Sequence, residues 1–176
     1  MDIEEIKKKA QNGDVKAMGI LGENYLHGNM GLNKDYELAY EWSKKASDLG
    51  NVRSMTVLGI IYMDGNAVER NIAEAEKLFM QAADAGDMKA PRYMGLLFRD
   101  GKIRSEDGHR EALEWFRKGA ERGDITSQFY LGEMYENGVG TEKNMDEAIR
   151  WYKISAKRGD KIAQPAIDAL NRLGIG

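Results

Sequence analysis

Small and hydrophobic residues recur along this chain every three or four positions. Between Asp14 and Gly28, Ala17, Leu21, Gly22 and Tyr25 fall on one side of a helix that turns about 100° per residue, while Lys16, Gly19, Glu23, Leu26 and His27 fall on the other. Ala39, Trp42 and Ala46 continue the three-and-four spacing in the next segment. The pattern predicts two amphipathic helices joined by a short loop, and it returns along the whole chain.

Glycines mark the period. Gly13, Gly50, Gly86, Gly123 and Gly159 lie 37, 36, 37 and 36 residues apart, followed by Asp14, Asn51, Asp87, Asp124 and Asp160. An interior glycine costs a helix about 1 kcal/mol against alanine, so such regular placement implies turns. Glycine suits the left-handed position that ends one helix, and the Asp or Asn after it can cap the next. Further columns keep step: Gly22, Gly59, Gly95 and Gly132; Tyr25, Tyr62, Phe98 and Tyr135; Gly28, Gly65, Gly101 and Gly138; Ala39, Ala75, Ala112 and Ala148. Trp42, Leu78, Trp115 and Trp151 form a column expected in the core, and Ala46, Ala82, Gly119 and Ser155 follow it.

The second helix of each pair should start at Asp35, Asn71 and Asn144, with Glu74 and Glu147 as partners in a capping box. Repeat three departs, with Asp107 and Gly108 at that junction. Pro91 and Pro165 fall early in their helices, where a missing amide loses few hydrogen bonds. The expected organisation is one repeat domain over 1–176: a cap helix in 1–12, repeats in 13–49, 50–85, 86–122 and 123–158, and a closing helix in 159–176.

Composition narrows the chemistry. A net charge of −3 without a block of like charges gives no field for a phosphate backbone, so nucleic acid is not an expected partner. There is no cysteine, which removes disulfides, thiolate metal sites and a cysteine nucleophile together. His27 and His109 stand in different repeats without ligand spacing, and no metal or other cofactor is expected. The first residues lack a signal peptide's apolar core and no run is long enough to span a bilayer, so a cytoplasmic location is expected, or a periplasmic or secreted one if a signal peptide has been removed.

Repeat four, with Leu131-Gly132, Tyr135, Gly138-Val139-Gly140, Glu147-Ala148, Trp151-Tyr152, Ser155-Ala156 and Gly159-Asp160, resembles the Sel-1-like repeats (SLR), relatives of the tetratricopeptide repeats with a longer loop in each hairpin. Repeat one matches nearly as well, with one extra loop residue in Asn29-Met30-Gly31. Repeat two carries Ala67 in place of the second loop glycine, and repeat three has Met94, Phe98 and the loop Lys102-Ile103-Arg104. The resemblance implies an all-α fold, an α/α solenoid wound as a right-handed superhelix. It also implies an adaptor used in assembly, quality control, signalling, bacterial secretion or host interaction. A cysteine-rich secreted branch of the family is linked to β-lactam binding or hydrolysis; a chain without cysteine matches it poorly.

In such a solenoid the non-packing face of each first helix is expected to form a concave wall that takes a partner. The residues so assigned are Lys16, Glu23 and His27; Arg53, Ile60 and Met63; Lys89, Arg92, Leu96 and Arg99; and Phe129 and Glu133. The same register adds Thr56, Asp64, Asp100, Thr126, Glu136 and Asn137. Lys16, Arg53, Lys89, Arg92 and Arg99 read as a basic row for an acidic protein or peptide segment, and no catalytic residues are assigned. Two alternatives stand beside this scaffold: an enzyme of cell-wall peptides or β-lactams, or a dedicated immunity or effector protein of a bacterial toxin or secretion system. The sequence is silent on oligomeric state.

Overall fold

A computed structural model describes residues 2–175, and all regular structure among them is helical. These residues form two compact units divided between Asp87 and Met88. The first holds α1 (Ile3–Gln11), α2 (Val15–His27), α3 (Tyr36–Asp48), α4 (Val52–Asp64) and α5 (Ile72–Asp84). The second holds α6 (Ala90–Arg99), α7 (Gly108–Glu121), α8 (Ile125–Asn137), α9 (Met145–Ala156) and α10 (Gln164–Arg172). Within each unit, helices adjacent in sequence pack as antiparallel hairpins stacked in the manner of an α/α solenoid.

The Gly-Asp junctions have the geometry that the period implies. Gly13, Gly50, Gly86 and Gly123 adopt left-handed φ values of 90°, 82°, 94° and 92°. At the first junction Gly13 N donates to Ala10 O and Asp14 N to Lys9 O, a Schellman pair that satisfies the last carbonyls of α1. Asp14, Asn51 and Asp124 then accept from the Ala17, Ser54 and Ser127 amides at the start of the next helix.

Two first helices begin late. In α2, α4 and α8 the amides of Met18, Met55 and Gln128 donate to the cap carbonyls of Asp14, Asn51 and Asp124. Pro91 occupies that position in repeat three and has no amide, so the bond cannot form and α6 begins at Ala90 rather than after Asp87. α10 also starts late, at Gln164: Pro165 stands one place further from Asp160 than Pro91 does from Asp87, so the carbonyl it cannot serve is that of Lys161, and Asp160 accepts from Ile162 and Ala163 in a turn.

Second helices are capped as expected at Asp35, Asn71 and Asn144, which accept from Leu38, Glu74 and Glu147. The capping box itself is only half made. The cap amides of Asp35, Asn71 and Asn144 donate to the carbonyls of Tyr25, Tyr62 and Tyr135, so Glu74 and Glu147 turn instead to Lys77 and Arg150. A backbone bond thus ties the start of each of these second helices to the tyrosine column of its own first helix.

Close approach within each hairpin is set by the glycines Gly22, Gly59, Gly95 and Gly132. A Cβ on Gly95 would sit 2.7 Å from the Phe116 ring and one on Gly132 2.6 Å from the Tyr152 ring; Gly59 faces Phe79 and Gly22 faces Ser43 in the same way. The residue filling the interior is therefore the one after the tryptophan column. Phe79, Phe116 and Tyr152 are fully buried, whereas Trp42, Trp115 and Trp151 are only half-buried. Cations cover the tryptophans from outside, with Lys45, Lys118 and Arg150 at 4.9, 4.7 and 5.5 Å from the ring centres.

Leu58 and Leu131 lie in this interior at 2% and 0% exposure. Leu58→Ala and Leu131→Ala should each lower the unfolding free energy by about 2–5 kcal/mol. Urea unfolding followed by circular dichroism checks this, and a loss below about 0.5 kcal/mol, the size of an ordinary surface change, would show the assigned packing face to be wrong.

Candidate functional site

The residues expected on a binding wall lie on α2 and α4 in the first unit and on α6 and α8 in the second. In the first unit Lys16, His27 and Arg53 are exposed, Glu23 and Met63 are half-buried, and Arg53 Nε pairs with Glu23 at 3.2 Å. Ile60 does not belong to the surface. It is 9% exposed, together with Leu26 at 5% and Thr56 at 4%, because α2 and α4 touch directly and α4 is apolar around most of its circumference. The Thr56 hydroxyl has no hydrogen-bond partner among the described residues.

In the second unit Lys89, Arg92, Leu96, Arg99, Phe129 and Glu133 are all half-buried. Arg92, expected to reach outward, instead bridges α6 to α8. Its guanidinium lies 3.1 Å from Asp124 and donates to the Tyr93 hydroxyl at 3.1 Å, with side-chain exposures of 16% for Arg92 and 6% for Asp124. Asp124 also accepts from the Ser127 amide and hydroxyl, so one buried carboxylate caps α8 and fixes α6 beside it. Arg99 donates from Nε to Asp100 at 2.8 Å and stacks 4.9 Å over the Tyr130 ring. Phe129 leans inward onto the Tyr152 ring, 5.8 Å between centres, and belongs partly to the core below α9 and α10.

Sequence reasoning missed a second bridge in this unit. Arg172 of α10 grips Glu136 of α8 through two bonds of 2.7 and 2.8 Å, and the Tyr152 hydroxyl donates to the same carboxylate at 2.7 Å. The signal was present: Glu136 and Arg172 are 36 residues apart, one repeat period, so opposite charges stand at equivalent places on successive first helices. Of the expected basic row, Arg53 pairs with Glu23 and Arg92 with Asp124 between helices, Arg99 pairs with the adjacent Asp100, and Lys16 is exposed; Arg172 with Glu136 adds an interhelical pair outside that row.

Two carboxylates one turn apart on α8 experience opposite environments. Arg172 holds Glu136 below the ordinary glutamate value, with help from the Tyr152 hydroxyl and against the effect of burial. Burial pushes Glu133 above that value; Arg99 and Arg172 pull it down and Glu136 pushes it up. The Tyr152 phenol is driven well above its usual range by burial and by its bond to Glu136.

A separate concavity of about 860 Å³ lies beside the repeat-three loop. Arg99 and Arg104 line it with Asp100 and Glu106, so no net charge selects a ligand there. His109 lies at its edge, and its carbonyl fills the space that a Cβ on Gly140, at φ 68°, would need. Among the described residues no group of three His, Asp or Glu side chains is placed to hold a metal ion, and no helix is long and apolar enough to cross a membrane.

The family model of the Sel1 repeat matches residues 15–51, 52–87, 92–124 and 125–160. The chain belongs to the Sel1 repeat family. A protective antigen of uropathogenic Escherichia coli strains with an SLR fold superposes with a TM-score of 0.75 at 33% identity, covering 97% of this chain and 36% of that one. A Sel1 repeat protein from Oxalobacter formigenes gives a TM-score of 0.67 at 33% identity over 85% of this chain and 59% of its own. Among curated proteins, the DAP3-binding cell death enhancer 1 of Rattus norvegicus is 37% identical over 71 residues, 40% of this chain. That match spans only 13% of the rat protein's length. The Sel1 repeats of this chain thus share their fold with solved bacterial Sel1 repeat structures.

The ion pairs of the Sel1 wall can be tested one at a time. Arg92→Met leaves Asp124 buried without its cation and should cost about 3 kcal/mol in urea unfolding; an unchanged midpoint would place the guanidinium outside the fold's stability. Glu136, whose folded value is lowered, contributes stability above the ordinary glutamate range that is lost as pH falls through the folded value. Carbon-detected NMR titration should show Glu136 titrating below Glu133, and Arg172→Met should move Glu136 upward while Glu133 stays the higher of the two.

Proposed function

We propose that this chain is a protein-interaction scaffold that holds a partner polypeptide on the outward faces of its first helices. One observation carries the reading. The packing positions repeat their residue type from copy to copy, whereas one equivalent position on the opposite face holds Glu23, Leu96 and Glu133 in three copies, with a buried Ile60 in the other. Folding accounts for the first set, and the irregular second set is the kind of surface on which a partner is distinguished. Sel1 repeat proteins typically act as interaction scaffolds, and the rat relative is named for binding another protein.

The arginines enter this reading as structural residues. A carboxylate partner would have to compete with Asp124 for Arg92 and with Asp100 for Arg99, and displacing either leaves a charge to be resolvated. Binding rather than catalysis is the proposal, since the site holds paired charges and no nucleophile set against a base.

Affinity capture from source-cell lysate, followed by mass spectrometry, tests it with wild type beside two folded variants, Lys16→Glu with Arg53→Glu, and Leu96→Asp. A protein held by wild type and lost by either variant at unchanged melting temperature is the expected result. A single tightly held protein would indicate a dedicated binder such as an immunity protein. Capture unaffected by both variants would move the site off this wall, and turnover of a chromogenic β-lactam or a cell-wall peptide would replace the scaffold with an enzyme.

A further inference from the structure

The second unit's wall has an unbalanced charge. Arg92 is committed to Asp124, Arg99 to Asp100 and Arg172 to Glu136. Glu133 is half-buried on α8 among these pairs; its backbone carbonyl accepts from the Asn137 side-chain amide at 2.9 Å, but its carboxylate receives no hydrogen bond from any described residue. The charges acting on it are the guanidiniums of Arg99 and Arg172 and the carboxylate of Glu136, and each guanidinium already has a carboxylate of its own. Glu133 is the carboxylate left over, at a place partly withdrawn from water.

We propose that Glu133 receives a lysine or arginine side chain of a partner polypeptide, whose aliphatic stem lies along Leu96. The inference rests on the scaffold reading and names the partner's chemistry: a basic segment, opposite in sign to the acidic one that counting arginines along the sequence suggests. Leu96 occupies on α6 the position that Glu133 occupies on α8, and it too is half-buried. Lysine and arginine suit such a place because their methylene stems cover apolar surface while the charged head meets a carboxylate. A half-buried carboxylate without a donor gains more from an arriving cation than one already gripped, as Glu136 is by Arg172 and Tyr152.

The environment of Glu133 is consistent with this. Burial raises its carboxyl above the ordinary value, and a bound cation would offset that burial. Binding should therefore weaken as pH falls into the range where Glu133 takes a proton. The groups facing it that set that range are Arg99 on α6, Glu136 on α8 and Arg172 on α10.

A random peptide library displayed on phage, panned against the full chain, tests the proposal and assumes no particular partner. Wild type should enrich peptides with lysine or arginine at a fixed place beside an aliphatic residue. Glu133→Gln, nearly isosteric, should bind the enriched peptide about tenfold more weakly at an unchanged melting temperature. Glu133→Lys should turn the selection toward acidic peptides, which keeps the test decisive if the glutamine variant is perturbed. Enriched peptides without a basic residue, or basic peptides held equally by wild type and Glu133→Gln, would overturn the basic-partner inference while leaving a binding wall. Failure of every form to enrich any peptide would overturn both.

Discussion

Each hairpin of this chain depends on two helices coming closer than side chains normally allow. At Gly59, Gly95 and Gly132 the first helix has no Cβ, and the rings of Phe79, Phe116 and Tyr152 fill that absence. The glycine weakens its own helix by about 1 kcal/mol, but it permits a fully buried aromatic whose burial contributes more than that. Repeat one uses a smaller version, with Ser43 against Gly22 and a serine hydroxyl without a hydrogen-bond partner among the described residues. Once the approach is fixed, the tyrosine carbonyls can reach the next cap amides, as in Asn144 to Tyr135 at 2.8 Å. Packing and loop closure are therefore linked through one interface.

That interface consumes one side of every first helix, and charge pairing consumes much of the other. Asp124 shows how tightly the two are joined, since the same carboxylate caps α8, binds Ser127 and holds Arg92 of α6. Arg172 and Glu136 connect α8 to α10 in a comparable way, with Tyr152 linking the pair to the aromatic core. Such bridges fix the spacing of neighbouring first helices and so the surface they present. They also remove charges from the set that a partner can use, because a guanidinium already bonded to a buried carboxylate has little to gain from a second one.

The architecture was readable because it repeats. The glycine period, the Asp and Asn caps and the small-residue columns each occur several times, so a local error in one copy is outvoted by the others. What failed was whatever depended on one residue's surroundings. The late start of α6 follows from Pro91 leaving the cap carbonyl of Asp87 without a donor, which needs the cap position as well as the proline, and α10 starts late with Pro165 one place further from its Asp. Tryptophan outweighs its neighbour in any hydrophobicity argument, yet Phe116 and Tyr152 point at the glycines and Trp115 and Trp151 lie beside them, covered by Lys118 and Arg150. Ile60 followed the outward register and is buried, because an apolar residue between adjacent first helices is covered by the stack itself.

Charge was the least legible feature, for a reason that Glu133 and Glu136 make plain. They are the same residue type, one turn apart on one helix, and neither residue type nor place on α8 ranks them. Arg172, a full repeat away in the chain, binds one and reaches the other only through its field, so their carboxyls move in opposite directions. Availability to a partner is thus a property of what lies on the neighbouring helix at the equivalent position. In a repeat protein that neighbour is found by stepping one period along the chain, and a charge whose counterpart at that step is small and apolar, as Ala169 is for Glu133, remains for something outside the fold to meet.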